Sequence, residues 1–256
     1  MRGGLDCHSA KRCLAMTGDA VFALAPTGTL RFGVVEAPSA GAFFVGRDGS
    51  GAPFGVTVDL ARGLAASVGV DVAFTVFPNS GECTEAIHAG DVDAGFIPVD
   101  AHRASRVLFG AGYYDLESTY GVTGASGITD MAEVDRPGVR VAGIADTTTI
   151  RAAGRSLRHV VPEAIRGVDE AVARLRAGTI DALAVSRDSL NQICAGIPGA
   201  RVLVGAFQTT VIAVAVPPGR EAGLGVASAW LEGAKRDGTV RRAFDAVGLE
   251  GETVSA

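Results

Sequence analysis

Short apolar runs alternate along this chain with segments of helical period, and glycines divide them. Leu30–Val35 predicts a strand after the turn Pro26-Thr27-Gly28. Phe43–Val45 and Pro53–Val56 flank Arg47-Asp48-Gly49-Ser50-Gly51, where Asp-Gly signals a hairpin. Thr57–Val68 places Val58, Leu60, Ala61, Leu64, Ala65 and Val68 on one helical face, and Gly69 ends it. A strand over Val70–Phe77, a helix over Ser80–Ala89 with Ser80 as N-cap, and a strand over Val92–Phe96 follow. Arg106–Phe109 and Tyr113–Val122 read as extended. Further strands are predicted at Val139–Ile144, Val160-Val161, Ile180–Val185, Val202–Val204 and Thr210–Val216. Further helices are predicted over Thr147–Leu157, Asp169–Ala177, Arg187–Ala195, Arg220–Lys235 and Thr239–Val247. Strands alternating with short helices give an α/β fold with largely parallel sheets.

One pattern occurs twice. Glu85-Ala86-Ile87 leads into Ala89-Gly90-Asp91-Val92-Asp93-Ala94, and Glu170-Ala171-Val172 leads into Ala177-Gly178-Thr179-Ile180-Asp181-Ala182. Any helix–glycine–strand joint has this look. The alternative is two similar α/β lobes, each with its own sheet, for which 256 residues leave room.

Composition narrows the classes. Apolar residues make up 48% of the chain, enough for a real core, and the net charge is −5. Mild acidity without a dense Lys/Arg run argues against nucleic acid and against an anionic membrane surface as partners. No run of 18 apolar residues is present. The cysteines are Cys7, Cys13, Cys83 and Cys194, none in a CxxC pair. Cys7-His8…Cys13 is the one metal-like group, at a spacing that fits no common site, so no metal and no cofactor are expected. Cys83 and Cys194 read as small buried fillers of helices. Residues 1–27 read as an N-terminal arm or a degenerate signal. Lys11-Arg12 precedes an apolar run that Gly18-Asp19 interrupts, and Ala23-Leu24-Ala25 has the small-x-small shape of a cleavage site.

In order and spacing these pieces resemble a family. Pro53-Phe54-Gly55-Val56-Thr57-Val58-Asp59-Leu60-Ala61-Arg62 is similar to the "P-x-G-x-x-V-D-L-A" segment of the solute-binding proteins of amino-acid-type ABC importers. Gly90–Ala94 and Gly178–Ala182 are similar to its "G-x-x-D-A", and Arg103–Tyr114 to its "R-x-x-x-[VI]-x-F-x-x-x-Y-Y". The resemblance covers about residues 28–250. It implies a clamshell of two α/β lobes, the type II periplasmic binding protein fold, crossed twice by the chain near 117–122 and 208–213. The first lobe would be 28–117 plus 213–256 and the second 118–212. Two extended hinge segments are what a closing clamshell needs. The family also implies a small carboxylate ligand, an ABC importer or sensor as partner, a monomer, and a periplasmic location, with the cytoplasm as alternative.

The same resemblance places the chemistry. Arg103, after Pro98-Val99-Asp100, matches the arginine that grips the ligand carboxylate with its planar fork of donors. From the residues alone, a surface pair with Asp100 is the other reading. Thr147, Thr148 and Thr149 open a helix whose free N–H groups would bind the same carboxylate from the second lobe. Glu36, Phe43, Asn79 and Glu117 are candidates for the side-chain pocket, which is poorer in aromatics than usual because Gly41 or Ala42 and Gly81 stand at the stacking positions. Pro98 belongs to the same wall. Five residues beyond Asp181, where amino-acid binders place an acid for the ligand ammonium, stands Ser186, with Asp188 two places late. An ammonium in a dry cleft needs a counter-charge, so the pattern points to an organic acid or a modified amino acid; the alternative is an ordinary amino acid, with a small shift of the loop bringing Asp188 to its ammonium. The competing function is an enzyme on this scaffold, like the cyclohexadienyl dehydratases, with Glu36 or Glu117 as acid/base. No nucleophile–base pair or phosphate loop supports catalysis.

Overall fold

The computed structural model describes residues 18–36, 45–47, 49–252 and 254–255. The chain begins with helix α1 (Gly18–Leu24), strand β1 (Thr29–Val35) and the small hairpin β2 (Gly46–Arg47) and β3 (Pro53–Phe54). Helix α2 (Val56–Ser67), strand β4 (Asp71–Phe77), helix α3 (Ser80–Ala89) and strand β5 (Ala94–Pro98) follow. Helix α4 (Ala101–Ala104) leads into the 15-residue strand β6 (Leu108–Val122). Next come β7 (Val141–Ile144), α5 (Thr148–Ser156), β8 (Glu163–Ile165), α6 (Val168–Arg176), β9 (Ala182–Ser186) and α7 (Arg187–Ala195). Strands β10 (Arg201–Val202) and β11 (Gln208–Val216) and helices α8 (Glu221–Arg236) and α9 (Thr239–Asp245) complete the order.

Two lobes share one plan. In the first, β4, β1 and β5 run parallel and β11 joins β5 antiparallel. In the second, β8, β7 and β9 run parallel and β6 joins β9 antiparallel. The cores are separate. One apolar cluster draws on residues 24–116 and 212–244, and two others lie within 120–203. The hydrogen bonding is not separate, and here the expectation of one sheet per lobe is corrected. β6 and β11 pair from Ser118↔Gln208 to Leu108↔Val216, so a single ladder passes from lobe to lobe. At roughly 3.3 Å per residue a strand of this length reaches about 50 Å, enough to edge both sheets.

The repeated Asp-Ala pattern has a structural cause. Asp93 accepts the backbone N–H of Arg31 at 3.0 Å and its guanidinium at 2.6 and 3.1 Å. Asp181 accepts the backbone N–H of Arg140 at 2.8 Å and its guanidinium at 2.7 and 3.0 Å. Each arginine also reaches the preceding turn, Gly90 and Asp91 carbonyls in one lobe and Gly178 in the other. The motif thus clasps the first strand of each lobe to its third.

Other differences are local. The N-cap of α3 is Asn79, whose Oδ1 accepts from the Glu82 N–H at 2.8 Å, and Ser80 is the first helical residue. Val160-Val161 forms no strand: Pro162 cannot donate to a ladder, Val161 is 92% exposed, and pairing with β7 begins at Glu163. Residues 18–24, within the segment read as an N-terminal arm or a degenerate signal, form α1, which packs on α8. Leu24 and Ala25 are 1% and 2% exposed. A Cβ at Gly223 would stand 2.6 Å from the Ala23 carbonyl oxygen, so only glycine allows this approach. Cys83 and Cys194 are buried free thiols in α3 and α7. Burial pushes the Cys83 thiol up to about 12. Cys7, Cys13, Phe43 and the Gly41–Ala42 positions lie outside the described residues.

Candidate functional site

A cavity opens between the lobes where five loops meet. From the first lobe come Glu36 at the end of β1, Asn79 and Ser80 at the start of α3, and Pro98 at the end of β5. From the second come Thr147, Thr148 and Thr149 at the start of α5 and Ser186 at the end of β9. Val35, Pro78, Leu116, Ile144, Val168 and Val185 supply apolar wall. Strand ends and helix starts converge here because parallel β–α units point their helix N-termini to one side of the sheet. Among the described lining residues the single ionisable side chain is Glu36.

The α5 end is built to leave donors free. Thr147 caps the helix: its Oγ1 accepts from the Ile150 N–H at 3.2 Å and donates to the Ile144 carbonyl at 2.8 Å. The first N–H groups of a helix have no intrahelical partner and carry the positive end of its dipole. The preceding residue, Asp146, holds φ +60°, a left-handed conformation that costs a non-glycine residue energy. Thr149 meets Ser118 of β6, their hydroxyls 3.0 Å apart.

Arg103 stands behind the first-lobe wall. It is 1% exposed, which excludes a surface pair with Asp100. Its backbone N–H is capped by Asp100 Oδ1 at 2.8 Å. The guanidinium donates to the Pro98 carbonyl at 3.0 Å, to Ser80 Oγ at 2.7 Å, and across the cleft to the Asp146 carbonyl at 3.3 Å. Two of these partners, Pro98 and Ser80, line the cavity. Burial pushes the Arg103 guanidinium down to about 10 against the pull of Asp100, so it remains a cation at neutral pH. Asp100 is half-buried, which pushes its carboxyl up, but the Arg103 N–H and the Arg151 guanidinium outweigh this and hold it low. The Asp100–Arg151 ion pair joins the lobes a second time.

A model of the bacterial extracellular solute-binding proteins, family 3, matches residues 36–246. The chain belongs to this family. A comparison with curated proteins found no match. Among solved structures, the solute receptor for L-cysteine of Neisseria gonorrhoeae is 23% identical, with a TM-score of 0.78 over 89% of this chain and 92% of that one. The P235GK mutant of ArgBP from T. maritima is 18% identical, with a TM-score of 0.77 over 89% and 98%. The ancestral amino-acid-binding protein AncCDT-1, a precursor of cyclohexadienyl dehydratase, is 24% identical, with a TM-score of 0.75 over 89% and 98%. These likenesses show the type II periplasmic binding protein fold. Family 3 is a family of binding proteins whose members work outside the cytoplasm, and no helix among the described residues is long and apolar enough to cross a membrane.

Two of the expected site residues, Glu117 and Asp188, lie away from the cavity of this solute-binding protein. Glu117 of β6 pairs with Arg187 at 2.6 Å on the exposed hinge. Asp188 is buried in the first turn of α7, not in the cavity wall. Ser186 does line the cavity, where its hydroxyl donates to Ser189 Oγ at 2.9 Å. Two site features escaped the sequence, the Arg103–Asp146 contact and the Asp100–Arg151 pair. Each joins positions more than 40 residues apart, which no motif marks.

Proposed function

We propose that this protein captures a small carboxylate in the interlobe cavity and delivers it, as a monomer outside the cytoplasm, to an ABC importer or a sensor. The lobes divide as 28–117 plus 213–256 and 118–212, and they close on the ligand. The observation that carries the reading is the convergence of the α5 N-terminus with the Ser80–Pro98 wall that Arg103 backs. A carboxylate placed there takes N–H groups from one lobe. From the other it takes guanidinium donors, exchanged from Ser80 and Asp146. An anion that bonds both lobes binds the closed form better than the open one, and that difference is what shifts the equilibrium.

The ligand is an organic acid or an amino acid without a free α-ammonium. Ser186 stands in the wall where an acid would neutralise that ammonium, and Asp188 is not in the wall. The single described carboxylate of the wall, Glu36, sits on the first lobe beside Val35 and Pro78 and serves the distal end of the ligand. Thermal shift against a panel of amino acids and organic acids, followed by calorimetry on each hit, tests this. Micromolar binding of an ordinary amino acid would overturn the ligand class. Release of phenylpyruvate from prephenate would instead support the dehydratase reading.

A further inference from the structure

We infer that Gly81 is the residue on which closure of the two lobes turns, because its missing Cβ is what lets Asp146 seat against helix α3. A Cβ at position 81 would stand 3.0 Å from Asp146 Cβ and 3.1 Å from the Asp146 carbonyl oxygen. Asn79 Oδ1, the acceptor that caps α3, would lie at 3.1 Å as well, but it ends a side chain and can give more readily than backbone. The Asp146 oxygen is backbone and is held by Arg103 at 3.3 Å. It belongs to a residue already at φ +60°, with little freedom to move.

The backbone conformation at 81 does not call for glycine. It is not among the positive-φ glycines. It lies in the first turn of α3, where alanine favours helix more than glycine does. Glycine therefore costs the first lobe on its own and is repaid only when the second lobe arrives. The contact lies beside the cavity, not in it: Ser80 lines the cavity, and Gly81 faces Asp146. Gly81 is a positioning residue that sets how far Arg103, Thr148 and Thr149 approach one another. Overpacked contacts between well-packed groups are costly, and here that cost falls on the closed form alone.

The inference rests on the reading that closure captures the ligand, but its test needs no ligand. In a Cys7→Ser, Cys13→Ser background, Asp100→Cys and Arg151→Cys place thiols on the two sides of the seam, and a short bifunctional thiol crosslinker reports how often they meet. Gly81→Trp is expected to slow crosslinking at least about tenfold, and Gly81→Ala about two- to tenfold, as a tight contact of this kind implies. Melting curves of both variants should show them fully folded at the crosslinking temperature, so a slower rate cannot be unfolding. An unchanged crosslinking rate in folded Gly81→Trp, or a Gly81→Ala protein that crosslinks as the parent does, overturns the inference. A protein that bound no carboxylate at all would still report this contact, so the two readings fail separately.

Discussion

Asp188→Asn should stabilise this protein at neutral and alkaline pH. Asp188 is 6% exposed, and its Oδ1 has no hydrogen-bond partner. Burial pushes its carboxyl above the usual range, against hydrogen bonds from Ser186 and the Ser189 N–H, and the charge of Glu252 adds to the push. Glu252 in turn accepts from the Tyr114 hydroxyl at 2.7 Å, and the charges of Asp188 and Glu117 also bear on that hydroxyl. Asparagine keeps an acceptor for Ser189 and removes the buried charge. The amide that takes its place is also unpartnered but neutral, and an unpartnered buried charge costs more than an unpartnered neutral group, by about 1–3 kcal/mol here. For a chain of this size each kcal/mol moves Tm by about 2–4 °C, so the variant should melt roughly 2–12 °C higher at pH 8. The sign follows from linkage. A carboxyl raised in the folded state binds more protons there than in the unfolded chain, where its pKa is about 3.9. The parent therefore gains stability as pH falls through the raised value, and the gap between the two proteins shrinks until about pH 4. Melting curves of both proteins from pH 4 to 8 are the assay. A variant that melts no higher than the parent at pH 8, or a gap that widens on acidification, refutes the reasoning. Loss of ligand binding in the same variant would return Asp188 to the ligand.

Three further outcomes are expected. Arg103→Ala should weaken carboxylate binding by about 2–5 kcal/mol, the cost of removing one partner of a desolvated ion pair, and calorimetry with the ligand found by thermal shift would show unchanged affinity if Arg103 plays no part. Asp93→Ala should destabilise by roughly 3 kcal/mol and Asp181→Ala by about 1 kcal/mol or less, because the Asp93 side chain is 1% exposed and that of Asp181 is 20% exposed; equal denaturant midpoints would count against the argument. A chain starting at Pro26 should lose about 2 kcal/mol relative to one starting at Gly18, the worth of burying Leu24, and equal stability would make α1 a dispensable arm.

Much of the fold was legible because its signals are local. The 3, 4, 7 spacing from Val58 to Val68 reports one buried helix face, and the unbroken apolar run Thr210–Val216 a strand buried on both faces from Ile212 on, without reference to distant residues. Asn79 and Ser80 are both good caps, so sequence could not choose between them; the chain enters the helix at Ser80, and Asn79 is left to accept the Glu82 N–H. Helix α1 was hidden because apolar residues beside small ones fit a leader as well as a helix docked on α8. The cavity residues Thr147–Thr149, Asn79, Pro98 and Ser186 came from the order of motifs, which fixes loop positions on a known scaffold. Glu117 was misplaced for the opposite reason. It faces Arg187, 70 residues away in sequence, and such a pairing exists only once β6 and α7 are packed.

The shared ladder of β6 and β11 also bears on how the molecule comes apart. Neither lobe owns its edge: the strand that closes one sheet continues into the other, and register shifts at Ile212–Ala213 and Ala213–Ala215 interrupt the pairing without ending it. Melting one lobe would strip backbone hydrogen bonds from a strand its neighbour still needs. Two cores that pack apolar groups independently are thereby tied into one cooperative unit. The slowest amide exchange should then track the long central pair, with the peripheral β4 and β8 exchanging first.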